Sequence, residues 1–236
     1  MSKGPPKDAI MPISLISATR MSEEEFRENS ALGQSIQRLR LDASNLLISH
    51  ENSQGLPFVY NRALESPDCN ELAVFIHDDV WIDDIFFLDR IVEGLQLFDV
   101  FGVIGNRRCA PLQPSWAFPD RSLSWDHPEN LIGGIAHGDF PFGTVRKYRD
   151  VKGKCALVDG VMIAAKRSRL KERGVCFDER FDFHFYDVDF CRSVTDAGLS
   201  LGTYPVSLTH QSVGNFDGED WNQQYIEYSR KWTPKI

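Results

Sequence analysis

No segment of this chain approaches the roughly 18 consecutive apolar residues that a membrane-crossing helix needs. The first apolar stretch, Ile13 to Ile16, is too short for the core of a signal peptide. Paired cysteine motifs are missing too. The five cysteines are odd in number and scattered, with no C-x-x-C, which argues against a disulfide framework or zinc knuckle. A reducing cytosol with buried thiols acting as small hydrophobes is the expectation. An excess of basic charge is absent: 26 Lys and Arg stand against 34 Asp and Glu, a net charge of −8. That excludes electrostatic nucleic-acid binding as the main task. There is no G-x-S-x-G elbow, no G-x-x-x-x-G-K-[ST] phosphate loop, no G-x-G-x-x-G after the first strand and no H-E-x-x-H. Internal repeats and low-complexity tracts are absent as well.

What remains is a globular composition. The 236 residues, 42% hydrophobic and 25% charged, suit one α/β domain over residues 1–236 with a real core. Residues 1–10 read as a flexible lead and residues 216–236 as a tail. Ile13–Ser17 reads as a strand. Ser22 followed by three glutamates opens a helix expected to run to about Arg40. Asn45–Ser49 is a second strand, and Gly55-Leu56-Pro57 starts another helix. Leu72–Ile76 is continuously apolar, as in a strand covered on both faces. Asp83 and Asp84 start an amphipathic helix with Phe87, Ile91, Leu95 and Phe98 on one side. Phe101–Ile104, Ala156–Ala165 and Gly202–Leu208 read as further strands. The alternation predicts βαβ units and a mostly parallel sheet. From about 107 to 154 the periodicity fails, and the stretch reads as an irregular lid or binding loop.

Ligands of open α/β sheets bind beyond the carboxyl ends of strands. His77-Asp78-Asp79 follows the clearest strand, and its imidazole and carboxylates suit Mn2+ or Mg2+. The competing reading is a strand-to-helix cap by Asp78 or Asp79. A helix from about Asp187 to Ala197 puts Asp187 on the stripe of Phe190, Cys191 and Val194, so Asp187 points inward and Asp189 reads as solvated or paired with Arg192. The helix dipole should favour ionised Asp187, as a general base requires. His210 closes the last strand and, if that strand joins the same sheet, lies near Asp79. Arg107, Arg108, Arg146, Lys147 and Arg149 are read as an anion-binding or merely solvated loop, Trp116 and Trp125 as an acceptor surface or loop packing.

The ordered set Ala18-Thr19-Arg20, Asn52–Leu56 with Tyr60-Asn61, Val74–Val80, Val158–Ala164, Phe177–Phe181, Tyr186–Asp189, Arg192, Gly198 and His210 resembles the family 2-like glycosyltransferases of GT-A fold, over roughly residues 11–215. It is most similar to a small bacterial subgroup with His-Asp-Asp-Val. The resemblance implies a Rossmann-like central sheet flanked by helices. It also implies an inverting transferase that takes a sugar from a nucleotide sugar, expected to be a UDP-sugar. The acceptor would be a hydroxyl of a glycan, lipid-linked or protein acceptor in surface polysaccharide synthesis. It implies Asp187 as the base, and Asp79 and His210 as ligands of a divalent metal. Thr19, Arg20, Glu51, Asn61, His77 and Asp78 fall on the donor side, and Trp116, Asp159, Gly160 and Tyr186 on the acceptor side. The family usually has Asp at position 77 and Glu at 186. These two departures motivate a non-catalytic GT-A-like binding domain as the alternative. A related nucleotidyltransferase is disfavoured for want of a Gly-rich, Arg-containing loop after the first strand. A cytoplasmic place is expected, with transient contact at the inner face of the membrane.

Overall fold

The apolar runs become buried strands, and the helices lie between them. The structure, a computed structural model, describes residues 12–42, 46–212, 214 and 216–233. The predicted lead at 1–10 lies outside the described residues. In chain order the first elements are β1 (Ile13–Ala18), α1 (Glu23–Asn29), α2 (Ala31–Leu39), β2 (Leu46–Ser49), α3 (Leu56–Glu65), β3 (Leu72–Ile76), β4 (Val80–Ile82), α4 (Phe87–Leu97), β5 (Val100–Gly102) and β6 (Ile104–Asn106). Then follow β7 (Leu131–His137), β8 (Thr144–Lys147), β9 (Gly153–Lys154), β10 (Leu157–Val158), β11 (Met162–Lys166), α5 (Arg167–Arg173), α6 (Tyr186–Asp196), β12 (Leu201–Thr203), β13 (Leu208–His210) and α7 (Glu219–Trp232).

One sheet has the order β2-β1-β3-β11-β5-β12-β9, and the other the order β10-β6-β7-β13-β4 with β8 added to β7. β1 is parallel to β2 and β3, and β5 to β12, but β11 runs antiparallel between β3 and β5. Five of the seven strands, β2, β1, β3, β5 and β12, thus share one direction, so the central sheet is mostly parallel as expected, with β11 and β9 reversed. β11 reaches it from the second sheet through the short turn 159–161 and not through a crossover helix, so the rule that makes sequential strands parallel does not bind it. Among the described residues the chain passes between the sheets seven times: β3 to β4, β4 to β5, β5 to β6, β8 to β9, β9 to β10, β10 to β11 and β12 to β13. The strands predicted at Phe101–Ile104, Ala156–Ala165 and Gly202–Leu208 are each broken at such a passage.

The helix predicted from Ser22 is two helices. Ser22 caps the first as expected, and does so in a capping box with Glu25. Ser30 ends α1 and caps α2, accepting a bond from the Gly33 amide at 2.8 Å. Nor is 107–154 irregular throughout: it holds β7, β8 and β9. Gly133 and Gly134 hid β7 from any periodicity. Gly133 sits at φ 94°, and a Cβ there would lie 2.1 Å from the Val103 carbonyl, so the strand needs a glycine at that point. β8 is exposed along its length and lies off the main path of its sheet.

The core joins Ile16, Phe75, Phe101, Phe177 and Phe190 in one cluster. The predicted tail contains α7, whose Trp221 and Tyr228 pack against Phe185. Cys69 and Cys191 are buried, but Cys176 is exposed, which corrects the reading of every thiol as core. Among the described residues, no helix is long and apolar enough to cross a membrane.

Candidate functional site

Parallel β2, β1 and β3 deliver their carboxyl ends to one edge. Thr19 and Arg20, Glu51 and Asn52, and His77 to Asp79 leave the sheet there. The first two loops interlock: the Thr19 amide donates to Ser49 O, and the Asn52 amide to Thr19 O at 2.8 Å. Thr19 is buried with its hydroxyl accepting from the Met21 amide. Arg20 and Glu51 are exposed at the rim. Asn61 lies elsewhere. Its amide bonds Phe177 O, the Phe177 amide and Glu179, beside a cleft of about 550 Å³ whose lining residues include none of His77, Asp79 and His210. Asn61 thus braces the 177–179 segment instead of reaching the donor side.

After His77-Asp78-Asp79 the chain enters β4, not a helix. The cap reading fails here: α4 begins at Phe87, and Asp84, not Asp78 or Asp79, bonds the amide before it. Asp78 is half-buried, and its carbonyl accepts from the Leu32 amide at the start of α2. β4 pairs antiparallel with β13, with His210 opposite Val80. His210 therefore reaches Asp79 from the second sheet through β4, without the shared sheet on which the sequence reading makes their closeness conditional. His210 Nε2 lies 3.2 Å from Asp79 Oδ1, and His77 Nδ1 lies 4.0 Å from the same oxygen. One ligand-competent atom from each of the three falls within 4.8 Å of the others.

The charges agree with that grouping. Burial raises the Asp79 carboxyl, but contact with His210 and the nearby His77 outweigh it and hold the pKa at about 2. Burial lowers His210, yet Asp79 more than compensates and raises it. His77 is lowered, chiefly by burial, and stays neutral. Buried Asp79 Oδ1 makes no hydrogen bond of good geometry and has His210 Nε2, at 3.2 Å, as its near neighbour; with His210 neutral, a bound cation would supply the positive partner that a buried carboxylate oxygen needs. Two imidazoles and one carboxylate oxygen suit a divalent ion.

Asp187, at the start of α6, is held against the 159–161 turn. Its Oδ2 accepts from the Gly160 amide at 3.1 Å and its Oδ1 from the Val188 amide at 2.8 Å. The dipole was expected to keep it readily ionised. Burial and the charge of Asp159 win instead, and the pKa is pushed up to about 7. Asp159 is held by the Trp116 indole and by the Val161 amide. Trp116 is thus buried against Asp159 and does not offer its face to an acceptor. Trp125 packs edge-on against it and carries Arg146 on its other side.

Tyr186 is also buried, 2% exposed, so its ring is not an acceptor surface. Its hydroxyl donates to Gly160 O at 2.9 Å and lies 2.8 Å from His77 Nε2. A Cβ at Gly160 would lie 2.2 Å from that hydroxyl. Asp189 corrects another expectation. It is fully buried, bonded by Lys231 and the Trp232 indole, while Arg192 bonds Tyr228. In the basic loop Arg107 pairs with Asp150 and Arg108 with buried Asp126, whereas Arg146 and Lys147 lie on exposed β8.

One neighbour escaped the sequence reading. His137 is paired in register with His210 across parallel strands, with ring centroids 5.9 Å apart. Its Nδ1 is buried without a partner. It sits in the stretch taken as irregular, and only the β7–β13 register reveals it.

No protein-family model matches this sequence, and no curated protein does. Solved structures do resemble it. S. aureus TarS 1–349 in complex with UDP-GlcNAc superposes with a TM-score of 0.49 at 13% identity, over 90% of this chain and 61% of that one. GalNAc-T7 with UDP, GalNAc and Mn2+ gives 0.50 at 8% identity, over 87% and 45%. A197 from STIV gives 0.45 at 11%, over 89% and 100%. The chain spans less than two thirds of TarS and of GalNAc-T7. The GalNAc-T7 likeness carries the fold: a mixed α/β architecture of the GT-A glycosyltransferase type.

Proposed function

We propose that this chain is an inverting glycosyltransferase that moves a sugar from a nucleoside-diphosphate sugar, expected to be a UDP-sugar, to an acceptor hydroxyl. One observation carries the reading: the His77, Asp79 and His210 ligand atoms gather at the carboxyl edge of a GT-A-type sheet, and the next turn links them to Asp187, since Gly160 donates to Asp187 and accepts from the Tyr186 hydroxyl that touches His77. GalNAc-T7, of the same fold, was crystallised with UDP and Mn2+, which supports a nucleotide donor here.

In this reading His77, Asp79 and His210 would hold a divalent cation, which supplies neutralisation of the negative charge on the leaving diphosphate. Asp187 takes the proton from the acceptor hydroxyl as that oxygen attacks the anomeric carbon. The bond to the diphosphate oxygen breaks and its electron pair leaves with the diphosphate, through an oxocarbenium-like transition state. A carboxyl with a pKa of about 7 is well matched to taking up that proton near neutrality. The Gly160 and Val188 amides orient it, and Asp159, anchored by Trp116, keeps it basic. Thr19, Arg20, Glu51 and Asp78 line the edge proposed for the nucleotide.

Calorimetry with UDP and Mn2+ tests the proposal. Binding by the parent protein, lost in Asp79→Ala, is expected. Asp187→Asn is expected to keep UDP binding and to lose transfer and donor hydrolysis. No UDP binding by the parent protein, or binding unaffected by Asp79→Ala, refutes it.

A further inference from the structure

The two positions at which the sequence departs from the family pattern, His77 and Tyr186, touch each other although they lie 109 residues apart. The direction of that contact can be deduced. Tyr186 has one hydroxyl proton, and Gly160 O, 2.9 Å away, can only accept. Were the proton given to His77 instead, two oxygen acceptors would face each other with nothing between them. Tyr186 therefore accepts from His77, and Nε2 carries the imidazole hydrogen. The Nδ1 lone pair is left free on the side of Asp79. Its distance of 4.0 Å from Asp79 Oδ1 is too long for a hydrogen bond, and that buried oxygen makes no hydrogen bond of good geometry, its near neighbour being His210 Nε2 at 3.2 Å. Two electron-pair donors thus face a common space, with His210 Nε2 completing the set. The arrangement is built and not incidental, because only a residue without a side chain at 160 lets the Tyr186 hydroxyl approach.

We infer that His77 is a metal ligand through Nδ1, that Tyr186 is the positioning residue that fixes its tautomer, and that the resulting two-imidazole, one-carboxylate set selects a transition-metal dication of the Mn2+, Co2+ or Zn2+ class over Mg2+. Imidazole nitrogen favours the transition series, whereas Mg2+ prefers oxygen and gives up its water reluctantly. A hydrogen-bond partner behind a ligating histidine sets which nitrogen points at the metal, and its loss typically lowers affinity about 10- to 100-fold. The inference rests on the reading of this edge as the donor site only for what the metal does there.

The test is titration of the full chain with Co2+, followed by visible absorption, and with Mg2+ as competitor, each with and without UDP. The parent protein should give Co2+ bands that a 100-fold excess of Mg2+ does not remove. Tyr186→Phe should bind Co2+ about 10- to 100-fold more weakly. His77→Asp should lose band intensity and gain Mg2+ binding, and it decides the matter if Tyr186→Phe fails to fold. Displacement of Co2+ by equimolar Mg2+, or a folded Tyr186→Phe with parental affinity and spectrum, overturns the inference. UDP binding that Mg2+ supports as well as Co2+ also overturns it while leaving the transferase reading standing. Selective Co2+ binding without any UDP binding sinks that reading and leaves this one.

Discussion

Consider replacing Gly160 by Ala. The backbone there is in an ordinary region, so the penalty is steric. The new Cβ would sit 2.2 Å from Tyr186 Oη, 2.7 Å from its Cζ and 3.1 Å from Asp187 Cβ. To restore normal contact the ring must retreat by about 1 Å. That breaks its bonds to Gly160 O and His77 Nε2 and pushes on Asp187. Overpacking costs about 1–3 kcal/mol. Each buried polar group left unpaired adds about 1–3 kcal/mol, so a loss of roughly 3–5 kcal/mol is expected. Tyr186→Phe alone forfeits the hydrogen bonds but leaves Gly160 comfortable. In the double variant those bonds are already gone and the worst clash eases to the Cζ contact. The two losses should therefore fall short of additivity by about 1–2 kcal/mol. Urea unfolding of the four proteins measures this. A Gly160→Ala loss under about 0.5 kcal/mol, or losses that add within that margin, refutes the close-approach argument.

Three further outcomes follow from the charges. Transfer by the parent protein should rise with pH through an apparent pKa near 7, because Asp187 must be ionised to accept a proton; Asp159→Asn, which removes the neighbouring charge, should move that limb to lower pH. The raised pKa also has a stability consequence. The protonated native form is favoured below the unfolded value of 3.8, and that advantage is lost as pH climbs to about 7. Asp187→Asn, which resembles the protonated form, should therefore raise Tm at pH 8 and leave it unchanged near pH 4. Lys231→Met strands the fully buried Asp189 and should cost about 3–5 kcal/mol in urea unfolding, with much of the loss recovered in Asp189→Leu/Lys231→Met.

The elements that could be read in advance are those whose signal is local. Leu72–Ile76 is apolar without a break and became β3; the stripe of Phe87, Ile91 and Leu95 became the buried face of α4. Ser22 and the three glutamates after it announced a helix start because an N-cap and its acidic first turn lie within four residues. The direction of β11 could not be read, since it depends on which sheet the chain arrives from. β7 was hidden by two glycines, of which Gly133 is required by the Val103 carbonyl. Asp187 was found by helical spacing, but its pKa was misjudged because Asp159, which lies close only in space, outweighs the dipole. Asp189 was assigned to the wrong face for a similar reason: its partners Lys231 and Trp232 lie more than 40 residues downstream. The Tyr186 contact with His77 has no local trace at all.

The repeated passage of the chain from sheet to sheet has a mechanical meaning. His77 to Asp79 bridge one passage and Asp159-Gly160 another, while His210 rides on a strand of the second sheet. The reactive groups are thus set along a seam, and their mutual spacing reports the angle at which two rigid plates meet. Gly102 and Gly105 flank the β5–β6 passage, where added methyls would press on Val158 and the Leu157 carbonyl at 2.7 and 2.0 Å. A wedge driven there would splay the plates and detune the groups without touching any of them.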